Sequence, residues 1–344
     1  MIVAKIISVL VLVILSFNFA VGKTYPKTDN YDGERFYNID PLANIKKGLL
    51  TVLQWRLTSD QKEWPKAVEN KVKPNFPQKI EENEVYVTFV NHSTLLVQTT
   101  NLTVLTDPIF SERASPVSFA GPKRVRKSGV SIEELPKIDF VIISHNHYDH
   151  LDIDSLVTLK KKFDPTFIVP LANAALLEEN GITKVIELDW WQMHNIDQNN
   201  KIHLVPVQHW SARTPFDAFK ALWGGYVIEA GKKKIYFAGD TGYNNHFVET
   251  FKRFGAMDVS LIPIGAYEPR WFMKIQHINP EEAVFAHMDL KSKKSIGIHF
   301  ETFQLTDEGY LDPRQDLKKS MENLKLNPES FVAPEHGETM RIAL

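Results

Sequence analysis

Within Ser144-His145-Asn146-His147-Tyr148-Asp149-His150, three imidazoles and a carboxylate fall within six residues. The run follows the mostly apolar segment Ile138-Asp139-Phe140-Val141-Ile142-Ile143. Neutral imidazole and carboxylate suit zinc and similar first-row ions. A helix would spread these four side chains around its axis. A loop at a strand end can aim them at one volume. They split into His145 with His147 and Asp149 with His150. That split points to two metals side by side, an arrangement that clamps both oxygens of a hydrolytic displacement. The bland alternative is a solvated histidine-rich loop.

Other potential ligands share the same setting. His209 follows His203-Leu204-Val205-Pro206-Val207, Asp240 follows Ile235-Tyr236-Phe237-Ala238-Gly239, and His299 follows Ile296-Gly297-Ile298. Ligands opening at the C-terminal ends of strands in one sheet form a crevice, and rigid strands hold them to tight geometry. Gly239 lets backbone approach the cluster closely.

The elements that must carry these residues are short β-rich runs mixed with helical ones. Strands are expected over 85–90, 94–98, 102–105, 140–143, 167–170, 202–207, 225–228, 234–238, 259–264, 295–299 and 330–333. Helices are expected over 154–162, 171–180 and 280–288. The last opens on Asn279-Pro280-Glu281-Glu282, a cap, a first-turn proline and acids at the positive dipole end. Interspersed strands and helices argue a layered α/β fold.

The chain has 344 residues and a net charge of -2, which leaves no nucleic-acid footprint. It has no cysteine, which excludes disulfides and thiolate ligation. The run Lys123-Arg124-Val125-Arg126-Lys127 suits phosphate or anionic lipid, and equally a solvated loop. Near the N-terminus, Lys5 precedes a nearly all-apolar stretch over 6–20, and Ala20-Val21-Gly22 offers small residues at a cleavage site. Residues 1–22 therefore read as a signal peptide or a membrane anchor, and the expected location is exported or membrane-associated, in a periplasm or secretory pathway. Residues 23–83 read as an extension. Leu42, Ile45, Leu49, Leu53 and Leu57 repeat at helical spacing after Asp40-Pro41, predicting an amphipathic helix over 41–57. It either packs on the main domain or meets lipid or a partner chain. Pro65, Pro74 and Pro77 punctuate a linker, and the main domain spans 84–344.

The set His145-x-His147-x-Asp149-His150 with His209, Gly239-Asp240 and His299 resembles the metallo-β-lactamase superfamily. Further segments are similar to its N-acylphosphatidylethanolamine-hydrolysing phospholipase D branch. They are Leu105-Thr106-Asp107-Pro108-Ile109-Phe110-Ser111, Ala238-Gly239-Asp240-Thr241-Gly242-Tyr243, Gly265-Ala266-Tyr267-Glu268-Pro269-Arg270-Trp271 and His277-x-Asn279-Pro280-Glu281-Glu282-Ala283. The resemblance implies a four-layer αβ/βα sandwich with two zinc ions. His145, His147 and His209 would hold one, Asp149, His150 and His299 the other, and Asp240 would bridge them. It implies hydrolysis of N-acylphosphatidylethanolamine to N-acylethanolamine and phosphatidate, with metal-bound hydroxide attacking phosphorus. Asp149 and His277 are the catalytic candidates, His277 orienting phosphate or passing a proton. Tyr148, Gln276, Trp271 and Phe272 are candidate substrate contacts, and Asp107 would orient a ligand histidine from behind. The partners implied are a phospholipid and a membrane surface, with a homodimer left open.

Lower-ranked candidates are His92 and His336 as pocket residues, and Arg213 and Arg270 as phosphate contacts or structural ion pairs. His194, His203, His246 and His287 read as surface or core. Two rival functions remain. One is hydrolysis of another ester or lactone on the same metals. The other is a non-catalytic lipid carrier.

Overall fold

Short apolar runs build the first sheet of this computed structural model, which describes residues 25–344 apart from Lys46. The expected signal or anchor, 1–22, lies outside the described residues. The first six strands are β1 (Glu84–Asn91), β2 (Thr94–Gln98), β3 (Thr103–Thr106), β4 (Phe140–Ile142), β5 (Thr166–Pro170) and β6 (Val185–Leu188). Val85, Val87, Phe89, Val97, Val104, Ile142 and Ile168 point into the central core. Their neighbours Val90, Leu96, Leu105, Val141, Phe167 and Val169 point the other way, into a second core. Burial on both faces explains the nearly unbroken apolar runs.

The second sheet holds β7 (Met193–Asn195), β8 (Asn200–Val205), β9 (Gly225–Ala230), β10 (Lys233–Phe237), β11 (Val259–Pro263), β12 (Lys294–Ile298) and β13 (Phe331–Val332). β14 (Thr339–Ala343) returns to the first sheet beside β1. Among the described residues the sheet orders are β14-β1-β2-β3-β4-β5-β6 and β13-β12-β11-β10-β9-β8-β7. Strands β3 to β6 are parallel, as are β10 to β13. β9 pairs antiparallel with both β8 and β10, so β8 and β10 point the same way.

Seven α-helices accompany the sheets among the described residues. They are α1 (Leu49–Thr58), α2 (Ile153–Phe163), α3 (Ala174–Glu179), α4 (His246–Phe254), α5 (Arg270–Met273), α6 (Pro280–Asp289) and α7 (Asp312–Asn323). Leu156 and Leu159 of α2 and Leu177 of α3 seal the first sheet. α6 packs on β11 and on α7. Its start is a capping box: Asn279 Oδ1 accepts from Glu282 N at 2.8 Å, and Glu282 Oε2 accepts from Asn279 N at 3.1 Å.

The extension departs from the expected single helix over 41–57. Pro41–Asn44 forms one 3-10 turn capped by Asp40, and α1 starts only after Gly48, whose backbone is extended. Glycine is a poor helix former, so the periodic pattern breaks there. Trp55 of α1 stacks on Phe272 at 4.7 Å, and its indole N–H donates to the Asp307 carboxylate. Ser59 Oγ also donates to Asp307, at 2.7 Å. Leu50, Leu53 and Leu57 stay exposed. One face of α1 is therefore docked and another is bare.

The basic run 123–127 is divided: Lys123 and Lys127 are exposed, as a solvated loop would have them, whereas its two arginines are structural. Arg124 and Arg126 are buried. Arg124 donates to the carbonyls of Ser111 and Ile109, and Arg126 pairs with Glu301 at 3.1 Å and Glu335 at 2.5 Å. These arginines tie loops together.

Candidate metal centre

The C-terminal ends of β3, β4, β8, β10 and β12 open at one edge of the sandwich. Asp107 follows β3, the 145–150 loop follows β4, His209 follows β8, Asp240 follows β10 and His299 follows β12. The loops are packed too tightly for side chains everywhere. Gly239 has φ +59°, and a Cβ there would lie 2.4 Å from Ser144 Cβ. His299 and Asp107 also adopt positive φ, 63° and 32°. Such backbone strain gathers at functional sites and is held by its surroundings.

One group is three imidazoles. His147 Nδ1 lies 2.9 Å from His145 Nε2 and 3.3 Å from His209 Nε2. Nitrogens on one tetrahedral zinc at about 2.0–2.1 Å would sit roughly 3.3 Å apart. Hydrogen bonds behind the rings select the tautomer. Ser144 Oγ donates to Asp107 at 2.6 Å, so it accepts from His145 Nδ1 at 2.9 Å. His209 Nδ1 donates to the Gln276 carbonyl at 3.0 Å. Both Nε2 atoms thus present lone pairs. Burial pushes His145 and His209 well below the usual range and His147 down to about 4, so this group is neutral.

The other group mixes carboxylates with imidazoles. Asp149 Oδ2 lies 3.3 Å from both His150 Nε2 and His299 Nε2. Asp240 Oδ2 lies 3.2 Å from His150 Nε2 and 3.1 Å from His299 Nε2, and 3.9 Å from His209 Nε2. It therefore stands between the two groups. Asp107 accepts from His150 Nδ1 at 2.6 Å and from Ser144 N at 2.7 Å, holding that ring from behind. Burial opposes ionisation of both aspartates, but His150 and His299 outweigh it and hold Asp149 and Asp240 well below the carboxylate range. Burial likewise opposes charge on the imidazoles. The Asp240 and Asp149 carboxylates outweigh it, raising His150 well above its usual value and His299 to about 9.

This donor set fits divalent metal. His145, His147 and His209 converge on one point, and Asp149, His150 and His299 on another. His150 Nε2 and Asp240 Oδ1 are buried without a hydrogen-bond partner. Buried groups of this kind are normally satisfied, and a cation between them would satisfy both.

The other sequence candidates fall at varied places. His277 Nδ1 is 3.9 Å from Asp240 Oδ2, and burial pushes its imidazole down to about 3. Gln276 is buried beside it. The Tyr148 hydroxyl donates to the Arg213 carbonyl at 2.9 Å, and the Arg213 guanidinium lies 4.0 Å over its ring. Arg213 itself donates to the carbonyls of Asn146 and Leu151, bracing the metal loop. Arg270 pairs with Glu282 at 2.6 Å, the structural ion pair rather than a free phosphate contact. Trp271 is 54% exposed, whereas Phe272 is buried against Trp55.

His92 occupies the β1–β2 turn with φ +45° and also reaches the cluster. Its Nε2 is 3.0 Å from Asp149 Oδ2. His336 sits one layer back, 3.0 Å from Thr302 Oγ1, which accepts from His92 N. His203 pairs with Glu229 at 3.1 Å, and His246 and His287 are buried outside both metal groups. Lys47 was not singled out from sequence. Its ammonium donates to Gln276 Oε1 at 3.0 Å and to the Phe272 carbonyl, and lies 3.9 Å over the Phe272 ring.

Comparison with known proteins agrees with this geometry. The family model of a beta-lactamase superfamily domain matches residues 102–300. An N-acyl-phosphatidylethanolamine-hydrolyzing phospholipase D from Caenorhabditis elegans is 39% identical over 270 residues, 75% of this chain and 76% of that protein. A mitochondrial enzyme of the same name from Saccharomyces cerevisiae is 37% identical, covering 77% of this chain and 58% of the relative. In structure, a metallo hydrolase from the archaeon Ignicoccus hospitalis superposes with a TM-score of 0.58 over 76% of this chain and 99% of its own, at 21% identity. The chain is a metal-dependent hydrolase that belongs to the beta-lactamase superfamily, in its N-acylphosphatidylethanolamine-hydrolysing phospholipase D branch.

Proposed function

We propose that the protein is a zinc-dependent phosphodiesterase of phospholipase D type. Its substrate is N-acylphosphatidylethanolamine, cleaved at a membrane surface to N-acylethanolamine and phosphatidate. The observation that carries the reading is the pair of ligand groups sharing Asp240. His145, His147 and His209 would hold one ion, and Asp149, His150 and His299 the other. Two divalent ions there would neutralise the phosphoryl oxygens and lower the pKa of the attacking water.

The chain's own residues do the rest. Asp107 fixes the His150 ring, and the Gln276 carbonyl fixes His209. His277 stays neutral near pH 7 because burial depresses it to about 3. It therefore orients the phosphoryl group through its N–H rather than delivering a proton as imidazolium. Asp149 is held ionised, ready to bind metal.

A lipid substrate agrees with the rim. Trp271 and Ile275 are exposed on the segment that leads into His277. Leu50, Leu53 and Leu57 are bare on α1, which docks on the same segment through Trp55 and Phe272. An apolar rim beside basic residues suits the headgroup boundary of a bilayer. No helix among the described residues is long and apolar enough to cross a membrane. The apolar stretch over 6–20 supports export or membrane attachment.

The test is product analysis by mass spectrometry on zinc-loaded protein, with N-acylphosphatidylethanolamine in mixed micelles and isotopically heavy water. Release of N-acylethanolamine with the heavy oxygen in phosphatidate is expected. No turnover with two metals bound would overturn the phosphodiester reading and favour a smaller ester or lactone.

A further inference from the structure

Lys47 presents an ammonium in a place that lacks its usual counter-charge. Its partners are neutral: the Phe272 carbonyl, the Gln276 carboxamide and the Phe272 ring. No carboxylate pairs with it among the described residues. Half-buried ammonium groups are costly unless paired, and burial alone pushes Lys47 down to about 8. An ammonium has three N–H donors. Two are taken here, which leaves one for a ligand.

The location gives that donor a use. Gln276, which accepts from Lys47, turns its backbone carbonyl to the metal-facing His209. The next residue is His277, whose ring faces Asp240 and feels the Lys47 charge. The ammonium thus stands beside Gln276, next to His277, at the edge of the cleft that His277 and Asp240 line. We propose that Lys47 binds the anionic phosphoryl group of the substrate, so that the N-terminal extension supplies a specificity determinant to the metal cleft. This rests on the phosphodiester reading above. A phosphodiester brings one negative charge and unesterified oxygens, which fill the third donor and pair the charge. A neutral ester or lactone does neither, so the same ammonium selects against it.

Two variants of the full metal-loaded chain, Lys47→Met and Lys47→Arg, test this. Lys47→Met keeps the stem and removes the charge. It should raise KM for micellar N-acylphosphatidylethanolamine about tenfold and weaken inhibition by inorganic phosphate by a similar factor. Lys47→Arg should recover most of both. Metal content and melting temperature are measured alongside. A lower melting temperature with unchanged KM and unchanged inhibition would assign Lys47 to holding the extension and overturn the proposal. Weaker inhibition with unchanged KM would assign the ammonium to free phosphate, which also overturns the substrate contact. Wild-type protein that cleaves no phosphodiester refutes the underlying reading, and this proposal with it. Active wild type beside an unchanged Lys47→Met variant refutes Lys47 alone.

Discussion

The two ligand groups are built on opposite electrostatic plans. His145, His147 and His209 are neutral rings, and neutral acceptors, a serine hydroxyl and a peptide carbonyl, back His145 and His209. His150 and His299 are ringed by Asp107, Asp149 and Asp240 and hold protons in the metal-free chain. A cation entering the neutral group displaces nothing charged. A cation entering the charged group must expel protons from imidazoles that carboxylates have stabilised. The difference teaches that two sites sharing one aspartate can load on different pH schedules.

The sharpest way to break the contrast is Asp240→Asn, since Asp240 faces both groups. It should cost turnover at least about 10³-fold, equivalent to several kcal/mol of transition-state stabilisation. Elemental analysis should show depleted metal while far-ultraviolet circular dichroism stays native. Asp107→Asn strikes the charged group directly, through His150, and reaches the neutral group only through Ser144 behind His145. It should weaken the metal of the charged group by about 10–100-fold and the other one less, read by chelator competition. Equal weakening of both would show that the groups are not independent.

The smallest effect is a pH signature. His299 is raised from 6.5 to about 9 in the folded metal-free chain. Its contribution to stability is therefore fully present below about pH 6.5 and lost as pH rises through about 9. The melting temperature of metal-free protein should fall by several degrees across that window. Metal-loaded protein should not show this fall, because its imidazoles carry metal instead of protons. Parallel curves for both forms would contradict the charge assignment.

Much of this was legible because it is local. The 144–150 run packs its donors into one stretch, and long apolar runs such as Phe140–Ile142 announce buried strands. Elements with thin apolar signals were missed. α7 commits chiefly Leu317 and Met321 to the core, amid charged neighbours. The helix expected over 171–180 shrinks to Ala174–Glu179 because Asn173 spends its amide on the carbonyls of Pro170 and Leu222. Lys47 and the inward reach of His92 depend on contacts between segments far apart in sequence. One lysine of a pair and one histidine in a turn carry no periodicity that announces such contacts.

The pairing of β1 with β14 has a consequence for biosynthesis. Thr88 and Thr339, 251 residues apart, share a hydroxyl hydrogen bond of 2.9 Å across that pair. At about 5–20 residues per second, the ribosome needs roughly 13–50 s to span this separation. For that interval the β1 edge, with Val85, Val87 and Phe89 along it, waits without its last neighbour. An unpaired apolar edge is a template for wrong partners. Slowed translation of the C-terminal third, which prolongs that exposure, should therefore lower the soluble yield of the protein.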